Sequence, residues 1–172
     1  MFDPTVYENL KVVIEGSIYD LDLAGCILVI GRVDRMDMAT MSRYYAVSFV
    51  EKEAVENTVA EIRLFASIKD LAAELLEDKE SSPGCQMEIR FLRKVVNIAM
   101  ECSQIEEAVS KIWQGRPQVK QTLSFDYGST PGPYRDDIIL DFGRKIDEEQ
   151  IDDIPDLIDH MLHTVQILNQ MK

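Results

Sequence analysis

The chain has 172 residues, of which 46% are hydrophobic and 28% charged, and its formal net charge at pH 7 is −13. This composition predicts a folded domain with a sizeable apolar core and argues against an intrinsically disordered chain. The negative charge argues against binding to nucleic-acid phosphates or to an anionic membrane surface, because both need clustered lysine and arginine. We therefore predict no nucleic acid and no membrane among the partners. We also predict a single domain over residues 1–172, with a subdomain boundary near 81–84 as the alternative.

The N-terminal residues and the cysteines indicate the compartment. The stretch from Met1 to Glu8 has neither the basic nor the apolar region of a signal peptide, and no apolar run reaches the length of a membrane span. Cys26, Cys85 and Cys102 are odd in number and far apart, so we expect reduced thiols and neither a disulfide framework nor a zinc site. A cytoplasmic protein without a cofactor is predicted.

The N-terminal third has strand-like patterns. Apolar and polar residues alternate over Leu10–Ile18, which predicts a half-buried strand with a bulge at Gly16. Ile27–Ile30 is apolar on both faces, as in a central strand, and Tyr44–Val50 is rich in aromatic and β-branched residues. The form of the connection Asp34–Ser42 is left open by its sequence.

The middle of the chain contains two similar units, each a strand followed by a helix. The predicted elements are, in order, Val59–Ala66, Ile68–Lys79, Met87–Met100 and Gln104–Trp113. Ser67 and Ser103 each stand three residues before an acidic residue, and this capping-box pattern predicts where the two helices begin. One long helix over Glu53–Asp78 is the alternative for the first unit, because alanine, glutamate and leucine dominate that range.

The C-terminal third predicts a hairpin and a final helix. Alternating residues over Val119–Tyr127 and Ile138–Phe142 are joined by the loop Gly128–Arg135. Ile154–Met171 carries apolar residues at helical spacing, with Asp153 as its predicted N-cap. The whole pattern predicts the α+β class, with a mostly antiparallel sheet of about seven strands and about three helices, the last one C-terminal and amphipathic.

The negative charge is concentrated between Asp136 and Asp159. This segment has ten acidic and two basic residues, so it contributes −8 of the net charge of −13. A field of one sign steers oppositely charged partners toward a protein. The sequence therefore favours a non-catalytic binding or regulatory protein that engages a basic protein, although a role in solubility accounts for the same charge.

The residues predicted to contact this partner fall into two groups. Tyr134 and Arg135 close the loop Gly128–Arg135, which is longer than a tight hairpin needs, and both residue types are common at binding hot spots. The alternative is an irregular connection held in shape by its prolines. The second group is acidic and consists of Asp147, Glu148, Glu149, Asp152 and Asp153.

Two alternatives to this binding hypothesis stay open. Asp156, His160 and His163 share a face of the last helix and could ligate a divalent metal, which suggests a metal-assisted hydrolase using Asp156 and His160. A solvated helix face with local Asp–His pairs accounts for the same pattern. Adjacent Asp136 and Asp137 point to opposite faces of a strand and cannot form a catalytic dyad, so no catalytic residue is predicted. The second alternative is a self-assembling homodimer, built through edge strands and the apolar stripe of the last helix.

Overall fold

The computed structural model describes residues 5–54, 58–77, 83–129 and 132–171, and these ranges form an α+β protein. They contain four α-helices, one 3-10 helix and a six-stranded antiparallel sheet. In chain order the elements are α1 (Val6–Leu23), β1 (Ile27–Asp37), β2 (Ser42–Glu51), β3 (Val59–Ala66), α2 (Ile68–Leu75), β4 (Cys85–Val95), α3 (Ile98–Ile112), β5 (Gln118–Ser124), β6 (Tyr134–Ile146), the 3-10 helix (Glu148–Asp153) and α4 (Ile154–Gln170). None of the described helices combines the length and the apolar character needed to cross a membrane.

The six strands form one sheet in the order β1-β2-β3-β4-β6-β5, and every neighbouring pair is antiparallel. β1 and β5 are therefore its edges. Strands from both sides of the segment 81–84 belong to this sheet, and residues 81 and 82 themselves lie outside the described ranges. Helices α1, α3 and α4 pack together against one face of the sheet.

The helix-covered face of the sheet holds the core. Val47, Ile62 and Ile89 lie opposite one another on the neighbouring strands β2, β3 and β4, and all three are fully buried. The buried apolar stripe of α4 covers them and consists of Ile154, Ile158, Met161, Val165 and Leu168. The predicted amphipathic C-terminal helix is thus confirmed.

The opposite, open face of the sheet is polar. Arg63 donates a hydrogen bond of 2.8 Å to Glu88 on the neighbouring strand, and Arg90 donates two, of 2.5 and 2.6 Å, to Asp137. Asp137 is therefore occupied by a cross-strand ion pair. Its neighbour Asp136 points to the helix-covered face and is fully buried, as expected for adjacent residues of a strand.

The predicted strand over Leu10–Ile18 is wrong, because this segment lies inside α1. Leu10, Ile14 and Ile18 are fully buried, whereas Val12 is 62% exposed. A spacing of four residues fits both the alternation of a strand and one face of a helix. The strand period and the helix period therefore predict the same buried positions here. Gly16 consequently lies within a helix and not at a bulge. The N-cap of this helix is Thr5, whose side chain accepts a hydrogen bond of 3.3 Å from the backbone of Glu8.

The strand predicted at Ile27–Ile30 exists, but it lies at an edge of the sheet and not at its centre. It continues as β1 to Asp37, and a short turn leads into β2 at Ser42, so most of the undecided connection is strand or turn. The error arises because apolar side chains of this edge strand stay exposed. Leu28 and Ile30 are 50% and 52% exposed.

The first strand–helix unit is confirmed. β3 spans Val59–Ala66 as predicted, and Ser67 and Asp70 form the predicted capping box at the start of α2. This strand excludes a single helix over Glu53–Asp78. The predicted end of α2, Lys79, lies outside the described residues.

The second unit begins its helix earlier than predicted. Asn97 is the N-cap of α3, and its side chain accepts a hydrogen bond of 3.2 Å from the backbone of Met100. Ser103 therefore lies inside the helix and caps nothing, because an asparagine side chain satisfies the same free N–H groups earlier in the chain. Cys102 is also a helical residue and does not precede the helix.

The C-terminal third agrees with the prediction in outline. β5 and β6 form the predicted hairpin, and α4 begins at Ile154. The 3-10 helix before α4 was not predicted, and its N-cap is Asp147, whose side chain accepts a hydrogen bond of 2.8 Å from the backbone of Glu149. Asp153, the predicted cap of α4, forms no side-chain cap bond, because the 3-10 helix leads directly into α4. The described sheet has six strands and not seven, since Leu10–Ile18 is helical.

Candidate functional site: a cleft between α3 and α4

A cleft of about 520 Å³ opens where the C-terminal ends of α3 and β6 meet the 3-10 helix and the start of α4. We call it the α3–α4 cleft. Its floor is apolar and includes Met87, Ile112, Trp113, Phe142, Ile154 and Leu157. Its polar residues are Gln114, Arg116, Arg144, Gln150, Asp153, Asp156 and His160. An apolar floor with a few polar groups is typical of a binding site.

Trp113 lies in the floor of the cleft, and its contacts hold the indole ring in one orientation. The ring is 7% exposed, and its Nε1 donates a hydrogen bond of 3.0 Å to the hydroxyl of Thr164 on α4. The same hydroxyl donates a bond of 2.7 Å to the backbone carbonyl of His160. Phe142 meets the tryptophan edge to face, with 5.8 Å between the ring centroids. The indole orientation is therefore set by α4 and β6 together.

A bulge in β6 turns residues toward the cleft. Three residues, Phe142–Arg144, stand opposite Met87 alone, because the register between β4 and β6 shifts at this point. Gly143 has the left-handed φ of +64°, which favours glycine, and its N–H donates a hydrogen bond of 2.8 Å to Asp141. Phe142 and Arg144, on either side of this glycine, both line the cleft.

The end of α3 brings a second arginine to the cleft. Gln114 and Gly115 both have left-handed φ values, +54° and +64°, and the N–H of Gly115 donates a hydrogen bond of 2.9 Å to the carbonyl of Ser110, as in a Schellman helix end. The next N–H, that of Arg116, donates to the carbonyl of Trp113 at 3.1 Å. The chain thus folds back at the cleft, and the arginine follows the tryptophan closely.

The charged groups of the cleft come from two sides. Arg116 extends from the turn after α3 and Arg144 from β6, and neither forms an ion pair within the described ranges. Asp153 and Asp156 lie at the start of α4, are exposed, and likewise have no basic partner among the described residues. Unpaired charges of both signs therefore surround one apolar floor.

His160 connects this cleft to the metal prediction. Its Nδ1 lies 2.7 Å from the backbone carbonyl of Asp156, which accepts the ring N–H and leaves Nε2 as the free nitrogen. The ring packs 5.6 Å from that of Trp113, and His163 does not line the cleft. In the part of the chain that the structure describes, no three His, Cys, Asp or Glu side chains are placed to hold a metal ion. The hydrolase alternative stays a prediction.

The structure separates the two groups of predicted contact residues. Tyr134 and Arg135 lie at the start of β6, where Phe125 packs on the tyrosine at 5.7 Å and Asp126 accepts from the arginine at 3.3 Å. The acidic group lies beyond the other end of the strand. Residues 130 and 131 of the intervening loop lie outside the described ranges.

The five residues of the acidic group differ in their contacts. Asp147 caps the 3-10 helix, and Glu148 accepts a hydrogen bond from the side chain of Asn9. Glu149 and Asp152 are exposed, and of the five predicted acidic residues only Asp153 lines the cleft. The predicted acidic surface therefore exists at this end of the molecule, and one edge of it borders the cleft.

Asp136, at the start of the same segment, is held in the interior. It is fully buried, and neither carboxylate oxygen has a hydrogen-bond partner among the described residues. Arg93 faces it across the β4–β6 ladder but donates to the backbone carbonyl of Leu168 at 2.6 Å. Burial raises the pKa of Asp136 to about 6, and the positive charge of Arg93 limits the rise.

Sequence reasoning missed Trp113, Phe142, Arg116 and Arg144. The single tryptophan was placed only at the end of a helix, and Phe142 only within an alternating strand. Gly143 was the available signal, because a glycine inside an alternating pattern indicates a bulge. The cleft itself has no local signature, since its residues come from five separate elements and the turn after α3.

Comparison with family models, with curated proteins and with solved structures finds no match for this chain.

Proposed function

We propose that this protein is a binding protein that takes a basic polypeptide segment into the α3–α4 cleft. An apolar side chain of the segment would pack on Trp113 and Phe142. Lysine or arginine residues beside it would meet Asp153 and Asp156. The observation that carries this proposal is the apolar floor of the cleft bordered by unpaired carboxylates.

The acidic surface beside the cleft supports a basic partner. Glu149, Asp152 and Asp159 are exposed next to the two carboxylates of the cleft, and none of them has an ion-pair partner in the described part of the chain. Such a field increases the rate of encounter with a positively charged segment, and the effect weakens as salt is added. The apolar floor would supply most of the binding free energy, since exposed ion pairs contribute little.

Arg116 and Arg144 would face the other side of the bound segment. Two unpaired guanidinium groups favour a carboxylate at that position and disfavour a segment that is basic throughout. We therefore expect the partner to present an apolar residue with basic residues on one side and an acidic residue on the other. This asymmetry would fix the direction in which the segment binds.

The single tryptophan makes the test direct. Peptides selected on the purified protein from a random displayed library are expected to share this charge pattern and to shift the fluorescence of Trp113 saturably. Replacing both Asp153→Asn and Asp156→Asn should weaken binding about tenfold, or about 1.4 kcal/mol, and should reduce the salt dependence.

The matched control carries Asp152→Asn and Asp159→Asn. It removes the same charge from exposed positions of the same two helices that do not line the cleft. If both double variants lose affinity equally, the acidic surface acts only as a general field and the cleft is not the binding site. Selected peptides without an apolar residue, or binding that leaves the tryptophan signal unchanged, would also contradict the proposal.

A further inference from the structure

The outer edge of β1 is open along eleven residues. β1 pairs with β2 on one side, and no described strand pairs with its other side. Four of its large apolar side chains, those of Leu28, Ile30, Val33 and Met36, are between 43% and 52% exposed. A long edge strand with exposed apolar residues is a template for pairing with another strand.

β1 carries only part of the usual protection of an edge, namely one bulge and several charged side chains. The strand contains neither proline nor lysine, and its one bulge, at Val29–Gly31, leaves the rest in regular register with β2. The charges that it does carry alternate in sign over Arg32, Asp34, Arg35 and Asp37. Alternating charges still allow pairing with a strand that places an opposite charge across from each of them.

β1 itself supplies the inverse order for two of these charges, Arg32 and Asp34. A two-fold axis through Val33, with two β1 strands antiparallel, places Arg32 of each copy opposite Asp34 of the other. The same axis places Ile30 opposite Met36 on both sides of the centre. Two ion pairs and two apolar pairs thus flank a central valine pair, which is the arrangement of a self-complementary interface.

The two charged side chains are already held in place. Asp34 accepts from Lys11 at 2.9 Å and lies 3.7 Å from Arg43, while Arg32 is bonded to Glu15 of α1. Both residues lie on the helix-covered side, opposite Val47 and Tyr45 of β2. Because α1 orders these groups in the single chain, less side-chain entropy is lost when a second chain docks.

The open-face positions also fit. The same axis places Gly31 of one copy opposite Arg35 of the other, and glycine has no side chain to obstruct it. The guanidinium of Arg35 lies over the ring of its own Tyr44, with 4.5 Å from the guanidinium carbon to the ring centroid. The longest side chain on this face of the pairing region is therefore already folded back onto its own sheet.

We propose that β1 docks a second copy of this chain, antiparallel and about a two-fold axis at Val33, so that two sheets become one. This interface is separate from the proposed peptide-binding cleft, and either proposal can fail without the other. Sedimentation at physiological ionic strength, where general repulsion between two acidic chains is screened, is the first measurement. We expect the mass to rise from 19.6 kDa to twice that value as the concentration increases.

Charge exchange supplies the decisive test. Arg32→Asp alone places carboxylates opposite each other twice, and Asp34→Arg alone does the same with guanidinium groups, so each variant should stay monomeric. An equal mixture of the two variants restores opposite charges at all four positions and should form a heterodimer. A mixture that stays monomeric while the wild type dimerises would overturn the proposed register.

Two further variants guard against effects on folding. Val33→Glu changes a residue on the open face, away from the helices, and should abolish the dimer while the circular dichroism spectrum is retained. Lys120→Glu reverses a charge on β5, the other edge, and should leave the dimer unchanged. A wild type that remains at 19.6 kDa at every concentration, or a dimer insensitive to Val33→Glu, would refute the interface.

Discussion

Strand β6 begins beside a buried carboxylate and ends at an open cleft, and its two ends use charged residues differently. At the first end, regular pairing on both sides places Asp136 in the core with no hydrogen-bond partner among the described residues. At the second end, the bulge at Gly143 interrupts the pairing and leaves Arg144 exposed at the cleft. A charge in the regular ladder lowers the stability of the fold, whereas a charge beside the bulge remains available for binding.

Asp136 gives the largest expected effect on stability. Its pKa of about 6 in the folded protein lies above its value in the unfolded chain, so the folded state binds more protons between about pH 4 and about pH 6. The free energy of unfolding should therefore fall as the pH rises through this interval, by about 3 kcal/mol at most, and change no further through this group above it.

Denaturant titrations of the wild type and of Asp136→Asn across this interval measure the effect. The variant should lack this decline, and its peptide affinity should be unchanged because Asp136 lies away from the cleft. Asp137→Asn, which removes the carboxylate that pairs with Arg90 on the open face, should keep this decline but reduce its extent, because the charge of Asp137 also raises the pKa of Asp136. If Asp136→Asn keeps the full pH dependence, the buried end of β6 does not lower stability through this carboxylate.

Thr164→Val gives the next largest effect and acts on the cleft end. Valine has nearly the shape of threonine but cannot accept the hydrogen bond from Nε1 of Trp113, so a buried N–H loses its partner. We expect a loss of about 1 to 3 kcal/mol in the free energy of unfolding, measured by denaturant titration. In the background of Trp113→Phe, which has no such N–H, the same substitution should cost distinctly less. Equal losses in the two backgrounds would show that the hydrogen bond does not hold the floor.

Much of the fold follows from local pattern. β3 and α2 were predicted at their observed starts because a strand alternation and a capping box lie next to each other and agree. Leu10–Ile18 was misassigned because its buried residues are four apart, a spacing that both periods share. Val12 distinguishes the helix from the predicted strand, because it is apolar yet exposed. Its exposure depends on the packing of α1 against α4 and the sheet, which the local sequence does not show.

The site followed from the sequence only in part. The concentration of acidic residues was visible, but its members were separated by contacts that have no local pattern, such as the burial of Asp136 opposite Arg93. The cleft depends on the approach of Trp113 to Thr164, two residues far apart in the chain. Gly143 was the one local sign of the bulge, and a single glycine does not say which side chains it redirects.

The smallest expected effects compare two glycines and test the backbone difference between the ends of β6. A Cβ added at Gly143 or at Gly16 would meet no atom within 4 Å. The backbone conformation alone therefore decides whether alanine raises or lowers the free energy of unfolding. Gly143→Ala must hold alanine at a φ of +64° and should lower the free energy of unfolding by about 1 to 2 kcal/mol. Gly16→Ala lies in α1 and should raise it by about 0.5 to 1 kcal/mol, because alanine favours a helix.

Peptide binding adds a second readout to this pair. Gly143→Ala should also weaken binding at the cleft, since relief of the left-handed strain would move Phe142 and Arg144, whereas Gly16→Ala should leave affinity unchanged. Stabilisation by Gly143→Ala would mean that the bulge tolerates an ordinary backbone. The availability of Arg144 would then come from its position at the end of the sheet and not from the interruption of the ladder.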